Sequence, residues 1–156
     1  SAVYMYPEKF IGIHFFNPVS SMELVEIIPS MLTSDEVIEK CWDFCTLLHK
    51  KPVRVEDSPG FIVNRLLIPM INEAVEILSS QVASAEEIDS AMKLGAHHPL
   101  GPLALADLIG NDVCLSIMEA LYTSTSDSKY RPSYLLRKMV SAKKLGRKTG
   151  IGFYSY

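Results

Sequence analysis

Two short runs, Phe10-Ile11-Gly12-Ile13-His14-Phe15-Phe16 and Met22-Glu23-Leu24-Val25-Glu26-Ile27-Ile28, alternate with period two around turn-forming Asn17, Pro18, Ser20 and Ser21. Beyond them the chain is patterned for helices, so the sequence describes a β-hairpin leading into a mainly α fold. With the turn centred on Ser20, positions 14 and 26 are equidistant from it, and antiparallel pairing sets His14 opposite Glu26 with Cβ atoms ~5 Å apart. Both are flanked by apolar positions on their own face: Phe10 and Phe16 beside His14, and Met22, Leu24 and Ile28 beside Glu26. Burying either group unpaired would cost several kcal/mol. A mutual hydrogen bond relieves that cost, selects one imidazole tautomer and supports the imidazolium when the other ring nitrogen takes a proton. A satisfied core histidine and a catalytic dyad both fit this spacing.

The rest of the chain reads as helices between short breaks, without repeats or low-complexity segments. Thr33 with Glu36, and Ser84 with Glu87, have capping-box spacing ahead of apolar residues at three and four. Lys51-Pro52-Val53-Arg54-Val55 reads as an extended link. Ser58 and Pro59 are placed to open a long apolar helix over residues 60–78, kinked at Pro69, and a second apolar helix is expected over residues 103–122. The Ser/Thr/Asp-rich residues 123–129 with Arg131-Pro132 end it, and a shorter helix over 133–144 precedes a glycine-punctuated tail. Helices apolar nearly all round either bury one another or need a partner, so a helical dimer interface is one of two readings.

Composition excludes some classes. At 48% hydrophobic and net charge −3, with no apolar run long enough to span a bilayer and no basic stripe, the chain suggests an ordinary globular protein acting neither in a membrane nor on nucleic acid. Three cysteines make neither a disulfide framework nor a zinc pattern, and with no signal-peptide pattern a cytoplasmic location is expected. Cys41 and Cys45, four apart on a helix, read as small core residues. His97-His98 lacks a third ligand at chelating spacing, so no metal is expected, and Asp107 reads as a polar helix residue.

Four ordered segments carry a resemblance. Gly12-Ile13-His14-Phe15-Phe16-Asn17-Pro18-Val19 resembles the active-site signature of the L-3-hydroxyacyl-CoA dehydrogenases. Asp57-Ser58-Pro59-Gly60-Phe61-Ile62-Val63-Asn64-Arg65 is similar to that family's second signature. Met92-Lys93-Leu94-Gly95-Ala96 with Pro99-Leu100-Gly101-Pro102 resembles its third, although His97-His98 departs from the pair expected there. Gly146-Arg147-Lys148-Thr149-Gly150-Ile151-Gly152-Phe153-Tyr154 is similar to the segment that closes the family's chains. The resemblance covers residues 7–156 and is nearest to the short-chain 3-hydroxybutyryl-CoA members.

It implies an NAD-dependent oxidoreductase interconverting an L-3-hydroxyacyl-CoA, 3-hydroxybutyryl-CoA for a short-chain member, and the 3-oxoacyl-CoA in fatty-acid or butyrate metabolism. By the resemblance His14 is the catalytic base, Glu26 orients it, and Asn64 donates to the substrate oxygen. Asn17 and Lys148 contact the cofactor, and the helical domain forms a homodimer. The family's phosphate-cradling Gly-x-Gly-x-x-Gly turn does not occur here: the only Gly-x-Gly, Gly150-Ile151-Gly152, runs into Phe153 near the terminus. Residues 1–29 are therefore expected to be the last strands of a mostly missing NAD-binding Rossmann domain, and residues 30–156 the helical C-terminal domain. The chain then reads as a fragment inactive without its cofactor domain. The alternative is a non-catalytic dimerisation module descended from such an enzyme, which has no physical reason to keep His14, Glu26, Asn17 and Asn64 together.

Overall fold

A computed structural model describes residues 5–156, so the first four positions of the expected 1–29 segment lie outside the described residues. The architecture is mainly α with one small sheet, and the chain divides into two compact units, Ser1–Phe61 and Ile62–Tyr156.

In the first unit, strand β1 (Ile11–Phe15) runs antiparallel to β2 (Leu24–Pro29), with His14 opposite Glu26 as the count from Ser20 predicts. Helix α1 (Asp35–Leu47) then crosses over to β3 (Lys51–Arg54), which lies parallel to the other edge of β2. Parallel neighbours need such a crossover. Cys45, with Cys41, packs from α1 against Val25 and Ile27, joined by Ile11, Ile13 and Phe15. Odd positions of both strands thus face the helix, and the pleat sends Gly12, His14 and Glu26 to the opposite face.

Three expectations for this unit are corrected. The link at 51–55 is a strand over most of its length, because β2 offers it a free edge and an edge strand tolerates Pro52. The Thr33–Glu36 capping box does not form: α1 starts after Ser34, and the Thr33 hydroxyl instead donates to the Phe10 carbonyl at 2.6 Å and accepts from the Ser30 N–H at 2.7 Å. Residues 30–61, expected to belong with the helices that follow, complete the sheet layer, so the compact unit ends at Phe61 rather than at 29. At the surface, the Lys50 ammonium donates to the carbonyls of Val19 and Met22, tying down the hairpin turn.

The second unit holds α2 (Val63–Ser79), α3 (Ala85–Ala96), α4 (Pro102–Ile109), α5 (Asn111–Thr125) and α6 (Tyr134–Ser141). Ile68, Ile71 and Val75 of α2 share one core with Ile88, Leu103, Ala106, Cys114, Met118, Leu121 and Leu136. The Ser84–Glu87 capping box forms in both directions, and His97 closes α3 in the left-handed region at φ 56°. Two helix boundaries differ from expectation. Gly60 and Phe61 both have positive φ, so α2 begins after a turn, at Val63 rather than at Gly60, and runs on through Pro69. The single helix expected over 103–122 is two, because Gly110 at φ 107° breaks the right-handed spiral.

Two buried carboxylates organise this unit, and neither was read from the sequence. Asp89 of α3 accepts the N–H groups of Leu103 at 2.8 Å and Ala104 at 2.9 Å, capping α4 from outside, where Gly101 has no side chain to do so. Asp107, expected to be an ordinary helix residue, accepts from Asn111 Nδ2 at 3.0 Å, from the N–H groups of Phe153 and Tyr154 at 3.0 and 2.9 Å, and from the Tyr156 hydroxyl at 3.2 Å. The tail is thereby strapped onto α4. Asn72 places α6, accepting from the Ser133 N–H at 2.7 Å and donating to the Arg131 carbonyl at 3.3 Å. No described helix is long and apolar enough to cross a membrane.

Candidate active site

On the face of the sheet away from α1, His14 Nδ1 lies 2.7 Å from Glu26 Oε2. A carboxylate only accepts, so Nδ1 carries the proton and Nε2 is left as the lone-pair nitrogen. The burial is unequal: the Glu26 side chain is 1% exposed and that of His14 30%. A charge this buried needs hydrogen-bonded compensation, and a half-buried imidazole still reaches a substrate. Two rings flank the histidine, Phe16 at 4.6 Å and Phe61 at 5.5 Å between centroids. The count of positions shows the pairing with Glu26, and period-two alternation places Phe16 on the face of His14; Phe61 was not singled out from the sequence. For Phe61 the available signal was the Pro59-Gly60 turn in front of it.

Asn17 stands two residues past the end of β1, exposed on the hairpin turn, and its side chain has no hydrogen-bond partner among the described residues. Its proximity to His14 follows from the strand end alone. Asn64 and Lys148 belong to the second unit. Asn64 is half-buried in the first turn of α2. The Lys148 ammonium lies 2.5 Å from Asp112 Oδ1, and that contact, with the charge of Lys148, holds the Asp112 carboxyl below its ordinary range against the opposing effect of burial. Asp112 carried no sequence signal, because its partner is 36 positions away.

The remaining reactive groups point elsewhere. Burial pushes the thiols of Cys41 and Cys45 up and that of Cys114 up to about 12, which leaves no activated sulfur nucleophile among them. Burial, followed by its hydrogen bond to Asp89, holds the Tyr154 phenol well above its usual value, so it acts as a donor to that carboxylate at 2.9 Å. Among the described residues no three His, Cys, Asp or Glu side chains form a metal-holding group.

Comparison with known proteins identifies the family. The family described as 3-hydroxyacyl-CoA dehydrogenase, C-terminal domain, matches residues 60–156, and 3-hydroxyacyl-CoA dehydrogenase, NAD binding domain, matches residues 1–58. A 3-hydroxybutyryl-CoA dehydrogenase of Clostridioides difficile is 60% identical over 150 residues, covering 96% of this chain and 53% of that protein. One from Bradyrhizobium diazoefficiens is 58% identical, covering 96% and 51%. The crystal structure of (S)-3-hydroxybutyryl-CoA dehydrogenase from Ralstonia eutropha superimposes with a TM-score of 0.96 at 55% identity, covering 99% of this chain and 55% of that one. The chain thus spans about half the length of the relatives it matches. With both of its compact units matched in order, the chain belongs to the 3-hydroxyacyl-CoA dehydrogenase family.

Proposed function

We propose that the complete protein is an NAD-dependent oxidoreductase interconverting L-3-hydroxyacyl-CoA and 3-oxoacyl-CoA, with 3-hydroxybutyryl-CoA as its short-chain substrate, and that this chain carries the proton-transfer residues. The observation that carries the reading is the 2.7 Å bond between His14 Nδ1 and the buried Glu26 carboxylate, which leaves Nε2 basic and oriented. In the oxidative direction the 3-hydroxyl proton passes to His14 Nε2 as the carbon–oxygen double bond forms. NAD, when bound, supplies the acceptor for the hydride leaving carbon three. Glu26 fixes the tautomer and stabilises the imidazolium, and the Asn64 carboxamide donates to the substrate oxygen as charge develops there.

The residues fit only one end of that cofactor. The exposed carboxamide of Asn17 suits the nicotinamide end, and Lys148 is a second contact, held by Asp112. The pyrophosphate end has no fit here: Gly152, in the only Gly-x-Gly, is packed against the Asp107 carboxylate, which would repel phosphate. We assign the segment matched to the NAD binding domain, residues 1–58, to the end of a doubly wound cofactor domain whose greater part, with its glycine-rich turn, lies outside these 156 residues. Exposed Leu66, Val82, Leu94 and Tyr134 on the helical unit support a homodimer through that unit.

The test is NADH oxidation dependent on 3-oxobutyryl-CoA, by this chain alone and mixed with a separately produced amino-terminal cofactor domain. Activity on mixing that is abolished by His14→Gln is the expected result. Inactivity of the mixture, with the two parts shown to associate, overturns the catalytic reading in favour of a dimerisation module.

A further inference from the structure

Phe61 reaches His14 by way of an unfavourable backbone. Its N–H donates to the Ser58 carbonyl at 3.0 Å, closing a turn with Pro59 and Gly60 in the middle. Gly60 has φ 76°, which suits the third position of a type II turn and costs glycine nothing. The next residue needs no such conformation, yet Phe61 also stands at φ 49°, where a bulky side chain crowds its own backbone. The result of carrying the left-handed conformation onto the aromatic residue is a ring 5.5 Å from the imidazole with 49° between planes. Phe16, following β1, provides the second ring at 4.6 Å and 56°. Strain retained beside a proton-transfer pair is the pattern of a preorganised site.

We propose that Phe61 is a positioning residue: with Phe16 it holds the His14 ring at the tilt that keeps Nδ1–H on Glu26 Oε2, and it shields that bond from water. The proposal rests on the dyad reading above. A ring that merely fills space would be replaceable by another apolar side chain without effect on the imidazole.

Phe61→Gly separates the two roles, because glycine relieves the strain at φ 49° while deleting the ring. In the complete protein, Phe61→Gly, Phe61→Leu and Phe61→Tyr are compared with His14→Gln. The readouts are the unfolding midpoint, the solvent-exchange rate of the His14 Nδ1 proton in ¹⁵N-histidine-labelled protein, and kcat and KM for 3-oxobutyryl-CoA reduction. The Nδ1 resonance is assigned by its loss in His14→Gln. The expected result for Phe61→Gly is a midpoint unchanged or raised and an Nδ1 proton exchanging roughly tenfold faster or more. Its kcat falls roughly tenfold to hundredfold with little change in KM, as for a displaced base. Phe61→Leu shows the same losses in smaller measure, and Phe61→Tyr restores both. Should Phe61→Gly fail to fold, Phe61→Leu decides. Unchanged exchange and unchanged kcat on loss of the ring overturn the positioning role. Full activity in His14→Gln would instead defeat the dyad reading, and the exchange rate alone would then judge Phe61.

Discussion

Gly152 lies against the Asp107 carboxylate so closely that a Cβ at this position would overlap both oxygens. The carboxylate cannot move aside, because Asn111, Phe153, Tyr154 and Tyr156 all donate to it. Gly152→Ala is therefore expected to destabilise the protein by about 1–3 kcal/mol, the range for forcing extra volume into a packed site. A shift of the denaturant midpoint at constant slope measures it, and an unchanged midpoint would mean that the tail strap detaches at no cost.

Asp89 caps α4 across 14 residues and also accepts from Tyr154. Asp89→Ala removes the cap and leaves the phenol unpartnered, with an expected cost of about 1–2 kcal/mol for the cap alone. In a double-mutant cycle with Tyr154→Phe the two losses should be less than additive, since the substitutions share one hydrogen bond. Strict additivity would show that the Tyr154 contact contributes nothing.

The Asp112–Lys148 pair sets a pH dependence whose sign follows from the direction of the shift. A folded-state carboxyl held below its ordinary value of 3.8 contributes stability at all higher pH, and the contribution is lost as pH falls through the folded value. With the Lys148 side chain 45% and the Asp112 side chain 38% exposed, solvent screening keeps the contribution below about 1 kcal/mol. The difference in unfolding free energy between the protein and Asp112→Asn should be positive near neutrality and shrink below pH 3.8. A difference that does not vary with pH would assign it to packing rather than charge.

Glu26→Gln keeps the shape of the side chain but can present an N–H to the imidazole, which permits the wrong tautomer. The expected loss in kcat of the complete protein is roughly 100- to 10,000-fold, as for losing an oriented base, with KM little changed. Adding His14→Gln should cost little more, because the two residues act as one unit. Independent, multiplying losses would separate them.

The hairpin, its register and the dyad were legible because they are local. Period-two alternation sets which face each residue takes, and counting from Ser20 is enough to pair positions 14 and 26. The Ser84–Glu87 box was legible for the same reason, being closed by residues three apart. The Thr33–Glu36 spacing looked identical, yet Phe10, 23 positions away, claimed the Thr33 hydroxyl.

What tertiary structure decided follows from that distance. Residues 51–54 are a strand only because β2 lies beside them, and Asp107 is a hub only because the tail, 46 residues later, brings it two backbone donors. The break at Gly110 and the left-handed Phe61 are backbone choices that apolar periodicity does not encode. The sequence by itself determined the hairpin, the dyad pairing and the run of helices, since short-range pattern and hydrophobic burial specify them. The buried carboxylate network and the approach of Phe61 to His14 were decided by the fold, because their partners meet only after long loops have closed.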